Sequence, residues 1–132
     1  MTNTDEPSVE NTYTAMKNIL IIEDDASIGD MLIQVISSET LHRALQVIDG
    51  EKALEVLSEF SPDLFILDYH LPRINGLEVY DRLHAMPGLE HVPAILTSAG
   101  VLQYDLKDRA IVGISKPVNV NKLLDMIEEL LS

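Results

Sequence analysis

Short apolar runs alternate with segments of helical periodicity along most of this chain, and this alternation severely limits the folds available to it. The predicted strands are Asn18–Ile22, Leu41–Val47, Leu64–Leu67, Ala94–Leu96 and Ile111–Ser115. Helices are predicted over Ala26–Glu39, Glu51–Phe60, Gly76–Met86 and Val120–Leu131, with a weaker one within Leu102–Ala110. Strands and helices that alternate through short connections indicate a parallel sheet covered by helices on both faces, a fold of the α/β class.

The first 17 residues differ from the rest of the chain. They are rich in Thr, Asn, Asp and Glu and have no apolar period, so we expect an acidic, flexible N-terminal tail over 1–17 and a single domain over 18–132. The chain has no Cys, and no apolar run approaches the roughly 20 residues that cross a bilayer. These features favour a cytoplasmic protein.

The charge balance restricts the class of partner. The chain carries 22 acidic residues against nine Lys and Arg, a net charge of −13. Such a chain repels nucleic acid and anionic membrane surfaces, so we expect neither as a partner. Most of the acidic side chains serve solubility. Any specific chemistry therefore depends on whether a few of them converge.

Charged residues follow several of the predicted strands. Glu23 and Asp24 follow the first strand, Asp68 follows the third and Lys116 follows the fifth. Ligands of open α/β sheets bind at the carboxyl ends of the strands, so these side chains converge if the first and third strands are neighbours. The loop after the first strand carries three carboxylates, on Glu23, Asp24 and Asp25. They repel a phosphate unless a cation intervenes, and Mg²⁺ suits hard oxygen ligands. The alternative for each Asp is capping of the next helix, for which Asp25 is the better candidate.

Asp68 follows four apolar residues, where a carboxylate needs a cation or hydrogen-bond donors. Beside a metal ion, an aspartate can attack phosphorus and form an aspartyl phosphate. Lys116 supplies a cation for one phosphoryl oxygen, and a hydroxyl at the end of the fourth strand, on Ser98 or Thr97, can donate to another. These residues therefore fit a phosphoryl acceptor site.

Four motifs, in this order and each at a strand end, resemble the receiver domain of two-component response regulators. They are Ile19–Asp25, Leu67–Pro72 with Gly76, Pro93–Ala99, and Ser115–Pro117. The resemblance extends over Lys17–Ser132 and is to the stand-alone, chemotaxis-Y-like type. It implies a flavodoxin-like (βα)5 doubly wound sheet with five parallel strands in the order 2-1-3-4-5.

The resemblance also implies a metal site. Glu23 and Asp24 would be the acidic pair that holds Mg²⁺, with Mn²⁺ or Ca²⁺ as substitutes. Asp68 would be a further ligand, and His70 would offer its backbone carbonyl to the same ion.

A phosphoryl site is implied beside it. Asp68 would take a phosphoryl group from a phosphohistidine on a sensor histidine kinase or histidine phosphotransfer protein. Lys116 and Ser98 would contact that group, with Thr97 as the alternative to Ser98. In the family the Lys116–Pro117 peptide bond is cis. Phosphorylation would then switch a surface that binds a downstream protein, which the sequence does not identify, in a monomer or weak dimer.

The region expected to carry the output departs from the family. An aromatic residue usually stands three positions before the lysine, where this chain has Gly113, and Ser98–Lys116 is short by about one helical turn. We therefore expect the fourth of the five helices to be short or irregular. These departures leave open a second function, a receiver-like protein-interaction module that works without phosphorylation.

An enzymatic role finds little support. An aspartate-nucleophile phosphatase usually needs a second acid two residues after the nucleophile, and His70 occupies that position. We expect the chain only to assist its own phosphorylation and dephosphorylation.

Overall fold

The computed structural model describes residues 16–100, 106 and 109–132. The strands are β1 (Asn18–Ile22), β2 (Arg43–Val47), β3 (Leu64–Asp68), β4 (Ala94–Ser98) and β5 (Ile111–Ser115). The helices within these residues are α1 (Ala26–Glu39), α2 (Gly50–Val56), α3 (Gly76–His84) and α4 (Val120–Leu131).

The five strands form one parallel sheet in the order β2-β1-β3-β4-β5. This is the strand order that the sequence resemblance implied, and the flavodoxin-like fold class is confirmed. The order places β1 and β3 side by side, with Ile22 paired to Leu67 at their carboxyl ends. The residues that follow these two strands therefore leave the sheet at the same edge.

Helices cover both faces of the sheet because alternate strand residues point to opposite sides. One apolar layer packs against α2 and α3 and includes Leu20, Ile22, Phe65, Leu67, Leu96, Ala53, Val79 and Leu83. The other packs against α1 and α4 and includes Ile19, Ile21, Ile66, Ile95, Leu32, Ile36, Leu123 and Ile127. The central strands are buried on both sides, which explains their continuous apolar runs.

Several element boundaries differ from the sequence prediction. β2 begins at Arg43 instead of Leu41, because Thr40 ends α1 with its N–H and hydroxyl both donating to the carbonyl of Ile36. β4 extends to Ser98, two residues beyond the predicted end. α2 ends at Val56, four residues before its predicted end, where the hydrogen bonds tighten to i→i−3: Leu57 N–H donates to the carbonyl of Leu54 and Glu59 N–H to that of Val56.

The tail predicted over 1–17 and the helix predicted within Leu102–Ala110 fall largely outside the described residues. Residues 109 and 110 lie in a turn that leads into β5. Across the part of the chain that is described, no helix is both long and apolar enough to cross a lipid bilayer.

Candidate functional site

Three carboxylates meet at the carboxyl end of the sheet. Glu23 follows β1, Asp24 is the next residue, and Asp68 is the last residue of β3. One oxygen from each of the three lies within 4.8 Å of the other two. Glu23 and Asp68 are 3% and 4% exposed, whereas Asp24 is exposed. The structure thus brings together the three side chains that the sequence predicted as metal ligands, and leaves one side of the cluster open to solvent.

Lys116 reaches this cluster from the far edge of the sheet. Its Nζ lies 3.2 Å from Asp68 Oδ2 and 3.7 Å from Glu23 Oε1, and its side chain is 27% exposed. The backbone is held by a hydrogen bond from Lys116 N–H to the carbonyl of Ser98, 3.1 Å long, and the Lys116–Pro117 bond is cis. The lysine is therefore the counter-ion of the two buried carboxylates.

The loop after β3 is shaped around Asp68. Its Oδ1 accepts a hydrogen bond from the N–H of His70, whose side chain is exposed, at 3.2 Å. Gly76, the first residue of α3, donates its N–H to the carbonyl of Tyr69. A Cβ at Gly76 would lie 2.5 Å from the Asp68 carbonyl oxygen. A glycine is therefore needed for α3 to begin this close to the backbone of Asp68.

The electrostatics of the cluster favour a bound cation. The pKa of Glu23 is raised from its usual value near 4.5 to about 7, mainly by burial and also by the negative charge of Asp68. The N–H of Asp25 and the ammonium of Lys116 act in the opposite direction. When all groups are ionised, three carboxylates and one ammonium leave two negative charges. An all-oxygen donor set with this charge and one open side fits Mg²⁺, which keeps several water ligands.

Two hydroxyl groups lie at the end of β4, and both are buried. Thr97 pairs with Asp68 across the β3–β4 ladder, and its Oγ1 donates to the carbonyl of Leu67 at 3.4 Å. Ser98 follows, and its Oγ accepts a hydrogen bond from Gly100 N–H at 3.2 Å. Within the described residues neither hydroxyl is hydrogen-bonded to Asp68.

Sequence reasoning missed one contributor to this site, Gln46 of β2. Its Nε2 donates to the carbonyl oxygens of Glu23 and Asp25, at 2.7 and 3.3 Å. Asp25 itself caps α1, as predicted, with Oδ1 accepting from Ile28 N–H. The available signal was Gly29, a glycine inside an amphipathic helix, where it is less favourable than Ala by about 1 kcal/mol. Such a glycine often marks a close approach of another group.

A known protein family matches this chain over most of its length. The sequence profile described as "Response regulator receiver domain" matches residues 19–128. The chain belongs to this family. As a receiver domain it is a signalling module of two-component systems and not a conventional enzyme, and receiver domains bind Mg²⁺ at an acidic site.

This chain spans very different shares of the relatives that it resembles. The polar-differentiation response regulator DivK of Brucella anthropi is 29% identical over 120 residues, which are 87% of this chain and 96% of that protein. The sensory/regulatory protein RpfC of Xanthomonas campestris pv. campestris is 29% identical over 117 residues, 84% of this chain but only 16% of RpfC. This chain therefore spans a small part of some of the proteins that it resembles.

A solved receiver domain shows the same fold. The receiver domain of the sensor histidine kinase PA1611 from Pseudomonas aeruginosa superposes with a TM-score of 0.75 at 21% identity, over 89% of this chain and 98% of that one. That structure has a magnesium ion coordinated in its active-site cleft.

Proposed function

We propose that this receiver domain accepts a phosphoryl group on Asp68 in a Mg²⁺-dependent reaction with a partner phosphohistidine. The observation that carries the proposal is the pairing of Asp68, which is 4% exposed, with the Lys116 ammonium at 3.2 Å. A buried carboxylate beside a cation and two further carboxylates adds little to the stability of a core, because removing charges from water is costly. The arrangement is suited to a nucleophile that works beside a metal ion.

In the proposed reaction, a carboxylate oxygen of Asp68 attacks the phosphorus of the phosphohistidine. The new O–P bond forms as the P–N bond breaks, and the imidazole leaves with the electron pair. The carboxylates of Glu23, Asp24 and Asp68, with the carbonyl of His70, would hold the metal ion. A bound Mg²⁺ would supply positive charge to the phosphoryl oxygens.

The remaining residues orient and neutralise the transferred group. Lys116 already lies beside Asp68 and would move its ammonium to a phosphoryl oxygen. Ser98 is a better hydroxyl donor than Thr97, because the Thr97 proton is directed at the carbonyl of Leu67 while Ser98 Oγ acts as an acceptor for Gly100. Donation from Ser98 would draw the loop after β4 inward and change the surface offered to a downstream protein.

We place the reaction in the cytoplasm, with a histidine kinase or histidine phosphotransfer protein as donor.

Phosphorylation of Asp68 is tested by the intact mass of the protein after brief incubation with acetyl phosphate or phosphoramidate, with Mg²⁺ or with EDTA. Wild type should gain one phosphoryl group only with Mg²⁺, and Asp68→Asn should gain none. Asp125→Asn, an exposed Asp on α4, is the matched control and should behave as wild type. A mass gain that survives in Asp68→Asn would overturn the assignment.

The alternative, a receiver-like interaction module that works without phosphorylation, is favoured by one observation. Gly113 stands in the middle of β5, paired with Leu96, and offers no side chain where receivers usually have an aromatic ring. The two functions differ in one measurable property. A phosphorylation-independent module would bind its downstream protein equally well as wild type and as Asp68→Asn, with and without a phosphoryl donor.

A further inference from the structure

A side chain provides the next hydrogen bond at the carboxyl end of β1, where the β1–β2 ladder stops. Glu23 N–H donates to the carbonyl of Val47 at 3.0 Å, which extends the β1–β2 ladder by one step. β2 ends at Val47, so no strand residue follows to receive the Glu23 carbonyl. Gln46 fills this place, with Nε2 at 2.7 Å from that carbonyl oxygen.

The same carboxamide also holds the start of α1. The carbonyl of Asp25, the N-cap residue, accepts the first helical hydrogen bond from Gly29 N–H at 3.0 Å and a second one from Gln46 Nε2 at 3.3 Å. One side chain thus bridges the two ends of the segment Glu23–Asp25, which we call the Mg²⁺-binding loop. Asp24 lies between these two anchored carbonyls.

Gly29 leaves the space that the Gln46 side chain occupies. Gly29 is buried on α1, and a Cβ built on it would overlap the carboxamide of Gln46. Because the atoms met are the far end of a flexible side chain, an alanine here would displace the carboxamide instead of breaking the helix. The two residues therefore act as a pair from different elements.

We propose that Gln46 is a positioning residue for the Mg²⁺-binding loop, with Gly29 as the residue that admits it. The inference rests on the proposed function, because it concerns the same acidic site. Glu23 is then fixed on every side: its N–H by Val47, its carbonyl by Gln46, and its carboxylate by Asp25 N–H at 3.1 Å. Groups that orient metal ligands typically change metal affinity by about 10- to 100-fold when they are removed.

The test compares Gln46→Met with Gln34→Met, a matched change at an exposed glutamine of α1. The Mg²⁺ dissociation constant, measured by calorimetry, should rise about ten-fold in Gln46→Met and stay unchanged in Gln34→Met. In the metal-free protein, the Asp25 amide should exchange with solvent several-fold faster in Gln46→Met, as measured by NMR. Amides in the middle of β3 should exchange as in wild type, which separates a loop effect from general destabilisation.

A second variant approaches the same contact from α1. Gly29→Ala should weaken Mg²⁺ binding and speed Asp25 exchange as Gln46→Met does, even though alanine favours the helix. Adding Gly29→Ala to Gln46→Met should change neither quantity further, since both act on one contact. Additive effects, or an unchanged Mg²⁺ constant in Gln46→Met, would overturn the proposal.

The outcomes also separate this inference from the proposed function. If wild type binds Mg²⁺ but takes no phosphoryl group, the proposed function fails and the dissociation constants still decide the role of Gln46. If wild type binds no Mg²⁺, both the metal site and the role of Gln46 toward it are refuted, whatever the amide exchange shows.

Discussion

The carboxylate cluster and its lysine counter-ion, the two sides of the candidate site, are built differently. The carboxylates come from β1 and β3, where residues 19–22 and all of β3 are buried. Their counter-ion comes from the end of β5, an edge strand in which one of five residues is buried and Val112 is 37% exposed. Two of the negative charges, on Glu23 and Asp68, are therefore fixed by the core, whereas the positive charge is supplied from the edge of the sheet.

Side-chain contacts reinforce the start of β5, where Ile111 pairs with Ala94 and packs against one apolar layer. The hydroxyl of Tyr80 accepts a hydrogen bond from Ala110 N–H at 2.8 Å. Arg109 donates from Nε and Nη2 to the two carboxylate oxygens of Asp81, each at 3.0 Å, and these hydrogen bonds lower the pKa of Asp81. Both contacts tie the strand that precedes Lys116 to α3. These contacts lie at the start of β5, at the opposite end of the strand from Lys116.

The largest effect is expected when the charge at the edge of the sheet is removed. Lys116→Met keeps most of the side-chain length and should slow phosphorylation about 100-fold, by analogy with other single groups that stabilise developing charge. Mg²⁺ should still bind, because the three carboxylates remain and have lost a competing cation. Phosphorylation rates and Mg²⁺ calorimetry check this, with Lys122→Met on α4 as the control. Loss of Mg²⁺ binding in Lys116→Met would show that the two sides are not separable.

The raised pKa of Glu23 predicts that the free energy of unfolding depends on pH. The folded state holds a proton on Glu23 up to about pH 7, whereas the unfolded chain loses it near pH 4.5. Without metal, the free energy of unfolding should therefore fall as pH rises through this interval, relative to Glu23→Gln, by on the order of 2 kcal/mol. Urea titrations in EDTA at several pH values measure this difference. Parallel curves for the two proteins would contradict it, and Mg²⁺ at pH 8 should stabilise wild type more than the variant.

Two glycines separate crowding beside Asp68 from backbone strain elsewhere in the chain. Gly76→Ala places a Cβ 2.5 Å from the Asp68 carbonyl oxygen, so it should destabilise the protein by about 1.5 kcal/mol and slow phosphorylation. Gly88→Ala meets no atom within 4 Å but has φ +91°, so it should destabilise by about 1 kcal/mol through backbone strain alone. Thermal unfolding and phosphorylation rates distinguish them. Slower phosphorylation in Gly88→Ala would contradict the local explanation.

The smallest effect is expected at the start of β5. Tyr80→Phe removes the acceptor for Ala110 N–H. Because Ala110 is exposed, water can replace that acceptor, so the protein should be destabilised by only about 0.5 kcal/mol. Phosphorylation should be unchanged, because the carboxylates are held elsewhere. A slower reaction in Tyr80→Phe would instead show that the peripheral contacts control the position of Lys116.

Much of the fold was predictable because buried strands and capped helices have sharp ends in sequence. The bounds of β1, β5, α1 and α4 agree with the prediction. The end of α2 did not, since Leu57 and Phe60 continue the apolar period after the backbone has left the helix. Periodicity reports which side chains are buried and not which carbonyl each N–H reaches.

The candidate site, like the fold, could be predicted from the sequence only in part. The proximity of Glu23, Asp24, Asp68 and Lys116 could be predicted, because the ends of neighbouring parallel strands coincide. The contribution of Gln46 could not, since it depends on the reach of one side chain across two elements. The electrostatic state of Glu23 also required the structure, because burial depends on the packing of the whole sheet edge.

The most direct measurement is ¹⁹F NMR of beryllofluoride, a mimic of the phosphoryl group, with wild type and Asp68→Asn. The account predicts a bound resonance for wild type that requires Mg²⁺ and disappears with EDTA, and no bound resonance for Asp68→Asn. A resonance that forms without Mg²⁺, or that persists in Asp68→Asn, would contradict the claim that the buried carboxylate and its metal ion form one phosphoryl acceptor site.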